Sequence, residues 1–437
     1  MNSKNQYGIY PFEPTLFNTI VTVKVNDQLP DIKAVEPLFA GFVLDSALDA
    51  KTESMIQFLE KVKGDNSISL RVKDLNSYDV SNINGKLTVS VSLKDNTFDS
   101  IQRLLQTKLM NDPNFEFLEL RDISDIIKLV SFLGKLNMPN VSIHSNTNLE
   151  DLMNTAFSVK PHSLNFDQFG ICASDVPKLN DLYNYYIDTE KLLSISNKLD
   201  PIRLHISETD AICESVEKLT NTFGSALWLL DYLFQVAQGN IHRVYVKLNN
   251  ANYYGLLAFS YATRNNAVFY DYDSTFGVQV RPNISIYVTK NLKEYTITVI
   301  HKDITQENVQ VSVKLPVASP GLLVRLISNQ TDVGSSGITF GEYTFDSGVL
   351  KDVGMSHNDT ILHGPVVKPE NNTYTFIVNR LSAAMLTVPI ELSGGAFFDN
   401  INDSDERNTV VTVRPDSREP DSIPMTMSLT EFEKTYL

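Results

Sequence analysis

The sequence predicts a two-part fold, α/β followed by all-β: an α/β barrel and then a β-sandwich. Three observations carry this. The first is the stretch from Ile202 to Phe234. A short strand, Ile202 to Ile206, runs into a carboxylate at Glu208 and then into a long helix. Val216, Leu219, Phe223, Ala226, Leu227, Leu230 and Leu233 recur there at three- and four-residue steps, the apolar stripe of a helix packed on a core. A carboxylate at the carboxyl end of a buried strand is where an α/β barrel keeps its catalytic groups. Second, short strands and helical segments alternate upstream of this stretch. Third, from about Asn265 the helices stop. Short alternating runs separated by polar turns follow, the pattern of a sandwich.

Length and composition bound the reading. A chain of 437 residues is too long for one ordinary core, so about two domains are expected. No apolar run reaches the roughly 18 to 20 residues of a membrane span, so a soluble protein is expected. The start, MNSKNQYGIYPFEP, has no basic-then-apolar leader pattern. The expectation is an intracellular protein unless a leader was removed. The net charge of −15 argues against a nucleic-acid binder, which needs basic patches. The two cysteines, Cys172 and Cys213, cannot build a disulfide framework or a thiolate metal site. One bridge and two free thiols both stay open. No metal-ligand cluster, P-loop or Ser/His/Asp set has recognisable spacing, and no cofactor is expected.

In chain order, Thr19 to Val25 alternates and is β-branched, a strand, with Pro30 and Pro37 bounding a linker after it. Thr52 to Val62 is a helix by the spacing of Met55, Ile56, Phe58, Leu59 and Val62. Ser69 to Val72 and Leu87 to Leu93 are strands, and Phe98 to Leu109 is a helix. Asp122, with Asp125 three residues on, suits a helix N-terminus ahead of Ile126, Ile127, Leu129, Val130 and Leu133. Asn140 to Ser145 is a strand ending near His144. From Asp181 a helix carries Tyr183, Tyr185, Tyr186, Leu192 and Leu193; tyrosines can stack on sugars, but the helical spacing favours core packing. Arg243 to Leu248 alternates as the last strand of this half. The sandwich strands run from Val278 to Val288, Tyr295 to Ile300, Val309 to Leu315, Leu322 to Ile327, Tyr374 to Val378 and Met385 to Leu392. The last segment, 394–437, holds a charged loop at Asp403–Arg407 and a Pro-, Asp- and Ser-rich run. It ends in TEFEKTYL, for which a short helix, a peptide docking on a partner and a disordered tail all stay open.

The order of some of these residues resembles a known family. A strand ending Ser207-Glu208-Thr209-Asp210, then Thr220-Asn221-Thr222-Phe223, then Ala226-Leu227-Trp228-Leu229-Leu230-Asp231, is similar to glycoside hydrolase family 79, the β-glucuronidase and heparanase group. A second stretch, Gly334 to Val388, resembles the end of that family's C-terminal β-sandwich. The resemblance implies a (β/α)8-like barrel over residues 38–263 and a sandwich over 264–393 that takes in the N-terminal segment 1–37. The segment 394–437 is an extension beyond the family's end. Leu38 to Leu44 looks like the first barrel strand, although the family's terminal acid is Leu44 here.

The resemblance also implies roles, and several of its motifs are broken. The family nucleophile falls on Glu208. The strand Phe117 to Arg121 keeps Leu118 and Glu119, but the family's general acid/base falls on Ile123, which cannot carry a proton. Asp122 is the nearest substitute acid. The family's glycine loop after its second strand becomes Lys73-Asp74-Leu75, with Asn76, Ser77 and Asp79 surviving as substrate-binding candidates; an ordinary surface turn accounts for the same residues. His144 falls on a family histidine or is a plain strand-end histidine. Lys247, Tyr253 and Tyr254 fall where family members bind substrate. A strand and helix between Leu133 and Asn140 are missing, so the barrel is expected to be incomplete. A retaining glycosidase needs two carboxylates about 5 to 5.5 Å apart. The expected function is therefore a non-catalytic relative of these β-glucuronidases, with a structural, carbohydrate-binding or partner-binding role. Its partner would be a glycan or a protein, and the C-terminal extension is a route to oligomers. The alternative is an active retaining glycosidase on uronic-acid glycans, using Glu208 and an unidentified acid.

Overall fold

The computed structural model describes residues 19–25, 34–44, 49–64, 68–73, 85–94, 96–123, 129–131, 133, 140–145, 159–170, 179–211, 217–276, 283–304, 308–329, 336–345, 351–352 and 362–390. Asn76, Ser77, Asp79, Cys172, Cys213 and the segment 394–437 lie outside the described residues.

The first strand, β1 (Thr19–Val25), belongs to the sandwich. Eight strands follow that close a parallel barrel: β2 (Ala40–Leu44), β3 (Ile68–Val72), β4 (Gly85–Ser92), β5 (Phe115–Arg121), β6 (Val141–Ser145), β7 (Ser163–Asp167), β8 (Arg203–Thr209) and β9 (Arg243–Lys247). Closure is made by β9 against β2, with Gly41 opposite Tyr245. The ring of strands is thus complete, where the sequence leads to an incomplete barrel. The strand that escaped the sequence reading is β7, SLNFD. Its inward residues, Ser163 and Asn165, are polar and hydrogen-bonded, so it lacks the β-branched signal by which strands are recognised.

The helices lie between the strands in sequence. Helix α1 (Ala50–Lys63) begins on Asp49, whose carboxylate accepts from the Thr52 N–H at 2.7 Å, and ends on Gly64 at φ 82°. Helix α2 (Phe98–Leu104) runs on as a π turn over Leu105–Leu109. Then come α3 (Leu179–Tyr183), α4 (Thr189–Leu199), α5 (Glu217–Thr220), α6 (Phe223–Gln238) and α7 (Asn250–Ala262). Helix α6 starts in a capping box, Thr222 and Ser225 each bonding the other's backbone N–H. Helices α6 and α7 are buried on nearly every side, because the barrel lies against one face and the sandwich against another.

The sandwich holds two sheets. One is four-stranded, ordered β11 (Tyr272–Phe276), β1, β14 (Asn308–Lys314), β20 (Thr373–Asn379). The larger contains β10 (Val268–Phe269), β12 (Ile284–Lys290), β13 (Glu294–His301), β21 (Ser382–Pro389), β15 (Gly321–Ser328), β16 (Ile338–Phe340), β17 (Tyr343–Thr344) and β18 (Lys351–Asp352), with β19 (Val366–Val367) on β15. Strand β1 lies between β11 and β14, so its Val21 and Val23 are fully buried in the core between the sheets.

Polar groups fix the sandwich to the barrel. Asp231 of α6 accepts from Lys302 at 2.5 Å and from the Tyr287 hydroxyl at 2.6 Å, and both ionic groups are buried. Gln235 bonds the same carboxylate and receives the Ile187 N–H. Phe234 stacks on Tyr287 at 4.2 Å. Tyr253 and Tyr254 are part of this junction. The Tyr253 hydroxyl donates to the Met55 carbonyl at 2.9 Å, and the Tyr254 hydroxyl receives the Phe345 N–H at 2.8 Å. Both rings are fully buried. They face α1 and the sandwich, on the outer side of the barrel.

Candidate active site

The barrel interior is filled with hydrogen-bonded polar side chains. Along each strand the alternate residues point outward into the apolar layer under the helices, and the remainder point in. Near the amino ends of the strands Arg243 pairs with Glu116 at 2.8 Å and lies over the Phe117 ring. One layer up, the Tyr245 hydroxyl meets Ser69 at 3.2 Å and Thr88 at 2.5 Å. Above that, Glu119 is fully buried and fully engaged. Arg71 donates to it through Nε at 3.0 Å and through Nη2, Ser90 donates at 2.5 Å, Asn165 at 2.6 Å and Ser207 at 2.7 Å. Burial pushes the Glu119 carboxyl up. The Arg71 charge, with help from His144, overcomes this and holds it well below the usual carboxylate range.

Glu208 stands directly above this layer. Ser207 and Glu208 are consecutive, yet both face the barrel axis, which a regular strand forbids. Register shifts between Phe166 and Asp167 and between Ile206 and Thr209 resolve the conflict: a bulge in β8 re-aims Glu208 inward. The carboxylate meets two cations there. Lys73 Nζ lies 2.6 Å from Oε2 and Arg71 Nη1 lies 3.7 Å from the same oxygen. Lys73 comes from the residue just past β3, on the same side of that strand as Arg71.

The two residues on which the family resemblance places the acid/base role, Ile123 and Asp122, follow β5. Ile123 packs against the barrel core. Asp122 lies in the left-handed region at φ 57°, and the start of the helix that its spacing suggests lies outside the described residues. Ser92 Oγ donates to its carboxylate at 2.7 Å and Lys94 lies 3.3 Å away. The Ser92 bond, and then Lys94, outweigh burial and hold the Asp122 carboxyl below its ordinary range, so the ionised form is favoured. A general acid must arrive protonated.

Other groups complete the mouth. His144 Nε2 lies 3.1 Å from Asp167 at the ends of β6 and β7. Lys247 is exposed at the end of β9. Asp210, which the sequence reading passed over, is nearly buried. It accepts from the Ala211 N–H at 2.7 Å and from Asn252 Nδ2 at 3.1 Å. Burial pushes the Asp210 carboxyl up to about 6 against those bonds, and the Glu208 charge adds to the rise. Among the described residues no group of three or more His, Cys, Asp or Glu side chains is arranged to hold a metal ion. Nor is any helix there long and apolar enough to cross a membrane.

No protein-family profile matches the sequence and no curated protein sequence matches it. Solved structures do match its fold. A 4-O-α-L-rhamnosyl-β-D-glucuronidase from Fusarium oxysporum aligns with a TM-score of 0.63 at 13% identity, over 84% of this chain and 100% of its own. The α-L-arabinofuranosidase from Thermotoga maritima aligns at 0.58 and 7% identity, over 85% and 100%. A glycoside hydrolase family 44 endoglucanase from Clostridium acetobutylium aligns at 0.52 and 10%, over 85% and 99%. At these identities the likeness is one of fold: a glycoside hydrolase-like barrel with an appended β domain.

Proposed function

We propose that this chain is a non-catalytic relative of the glycoside hydrolases, nearest in its motifs to the family 79 β-glucuronidase and heparanase group, with a carbohydrate-binding, partner-binding or structural role. The observation that carries the reading is the state of the two catalytic positions. Glu208 is ion-paired to Lys73 and Arg71, and the acid position offers Ile123 and an Asp122 already committed to Ser92 and Lys94. A general acid contributes roughly 10²- to 10⁴-fold. A nucleophile whose charge is already satisfied loses attacking power as well.

A working retaining glycosidase has one observation in its favour. Asp210 shares the end of β8 with Glu208 and keeps its proton to about pH 6. In that reading Asp210 is the acid and Glu208 the nucleophile. The test is turnover of aryl β-glucuronides, α-L-arabinofuranosides and β-glucosides by the wild type, Glu208→Gln and Asp210→Asn. The non-catalytic reading predicts equal, background rates for all three proteins. Turnover that both substitutions abolish would establish the glycosidase.

A further inference from the structure

We propose that Lys73 is a built-in ligand of the sugar site, seated against Glu208 where a bound sugar would present its reacting carbon, and that the free ligand able to replace it is a protonated polyhydroxylated amine. The inference rests on the glycosidase-like reading of Glu208 given above.

Space is the first argument. A carboxylate poised for attack holds the reacting carbon about 3 to 3.5 Å from its oxygen. Lys73 Nζ is 2.6 Å from Glu208 Oε2, so the ammonium and a carbon approaching that oxygen compete for the same space. The stem of Lys73 issues from the end of β3, so the ammonium is delivered by a strand of the barrel itself.

Charge is the second argument, and it selects the ligand. Arg71 is committed to Glu119 through Nε and Nη2. Only its Nη1 turns to Glu208, at 3.7 Å, with no hydrogen-bond partner of its own. Lys73 is therefore the close partner of a carboxylate that is only 13% exposed. A neutral sugar displacing Lys73 would leave Glu208 largely desolvated and half-paired, which is strongly unfavourable. A uronate would add a negative charge beside Glu208, Asp210 and Asp167, the last two near enough to act on Glu208 and Arg71 through their charge. A cation restores the pair. His144 and Asp167 pair with each other at the ends of β6 and β7.

The test is calorimetric titration of the full chain with deoxynojirimycin, a piperidine iminosugar, at a pH where its amine is protonated, with glucose as the neutral control. Lys73→Ala should bind the iminosugar at least about tenfold more tightly than the wild type, a difference of about 1.4 kcal/mol. Glucose should show no such gain. The gain should vanish in Lys73→Ala/Glu208→Gln. Lys73→Ser serves if Lys73→Ala melts early. Equal affinity in wild type and Lys73→Ala, no binding by either, or a gain that survives in the double variant would each overturn the inference. Turnover measured on the same samples separates the two proposals. An inert wild type whose Lys73 variants gain nothing sinks only the Lys73 assignment, whereas an active wild type sinks the non-catalytic reading.

Discussion

At the scale of single residues the site is a set of carboxylates sorted by their partners. Glu119 has five hydrogen bonds and stays ionised; Asp122 is held ionised; Asp210 is pushed toward the neutral form. Asp210 gives the sharpest prediction. Its folded value of about 6 lies above the roughly 3.9 of an unfolded chain. The folded state therefore binds the extra proton between about pH 4 and 6, and stability falls as pH rises through that window. Above it the buried carboxylate carries a penalty of about 3 kcal/mol. Asp210→Asn, which keeps the acceptor for Ala211 and Asn252, should raise stability by that order at neutral pH in urea unfolding. The advantage should shrink below pH 6 and be gone below about pH 4. An unchanged advantage at all pH values would mean that Asp210 titrates normally. Glu208 was legible in the sequence because a strand-end carboxylate followed by a long apolar helix is a local pattern. Its pairing with Lys73 was not, because contacts across neighbouring and distant strands leave no trace in linear spacing. The surroundings of Tyr253 and Tyr254 were not legible for a related reason. On a helix that is apolar all round, no periodicity tells which face meets the mouth and which meets the sandwich.

At the scale of elements, α6 and α7 decide how closely the layers approach. Gly255 in the middle of α7 is a poor helix former, yet a Cβ there would stand 2.6 Å from the Ala226 carbonyl and 3.0 Å from Leu229 Cβ. Alanine gains about 1 kcal/mol over glycine in a helix. Overpacking against a backbone atom costs about 1 to 3 kcal/mol, occasionally more. The clash should win: Gly255→Ala is predicted to lower stability by about 1 kcal/mol or more, read as a lower urea midpoint. A higher midpoint would show that the two helices are not in such close contact. Most elements were legible because period and caps agree, as in α1, where Asp49 and Gly64 bracket a clear apolar stripe. Strand β7 was not, because its alternation is polar inward and only two of its five residues are apolar. The sequence places the missing strand between Leu133 and Asn140, whereas the strand that completes the barrel is β7, after β6.

At the scale of the whole molecule, the chain joins a complete barrel to a sandwich through a buried charge. Asp231 and Lys302 each look like surface residues in the sequence, and only their burial against Tyr287 reveals the junction. Removing one partner strands the other in an apolar setting, at a cost of roughly 3 to 5 kcal/mol. Asp231→Leu or Lys302→Met alone should therefore lower the melting temperature steeply, and the double variant should recover most of the loss. Additive losses in the double variant would show that the two charges do not pair. The account of function turns on another pair, Lys73 and Glu208, and its presence in solution can be measured directly. A water-soluble carbodiimide joins a carboxylate to an amine in contact with it, with loss of water. Peptide mass spectrometry of the treated protein should find Lys73 linked to Glu208, and no such link in Glu208→Gln. Recovery of Glu208 coupled instead to an added small amine, with Lys73 unmodified, would show an open nucleophile and contradict the account.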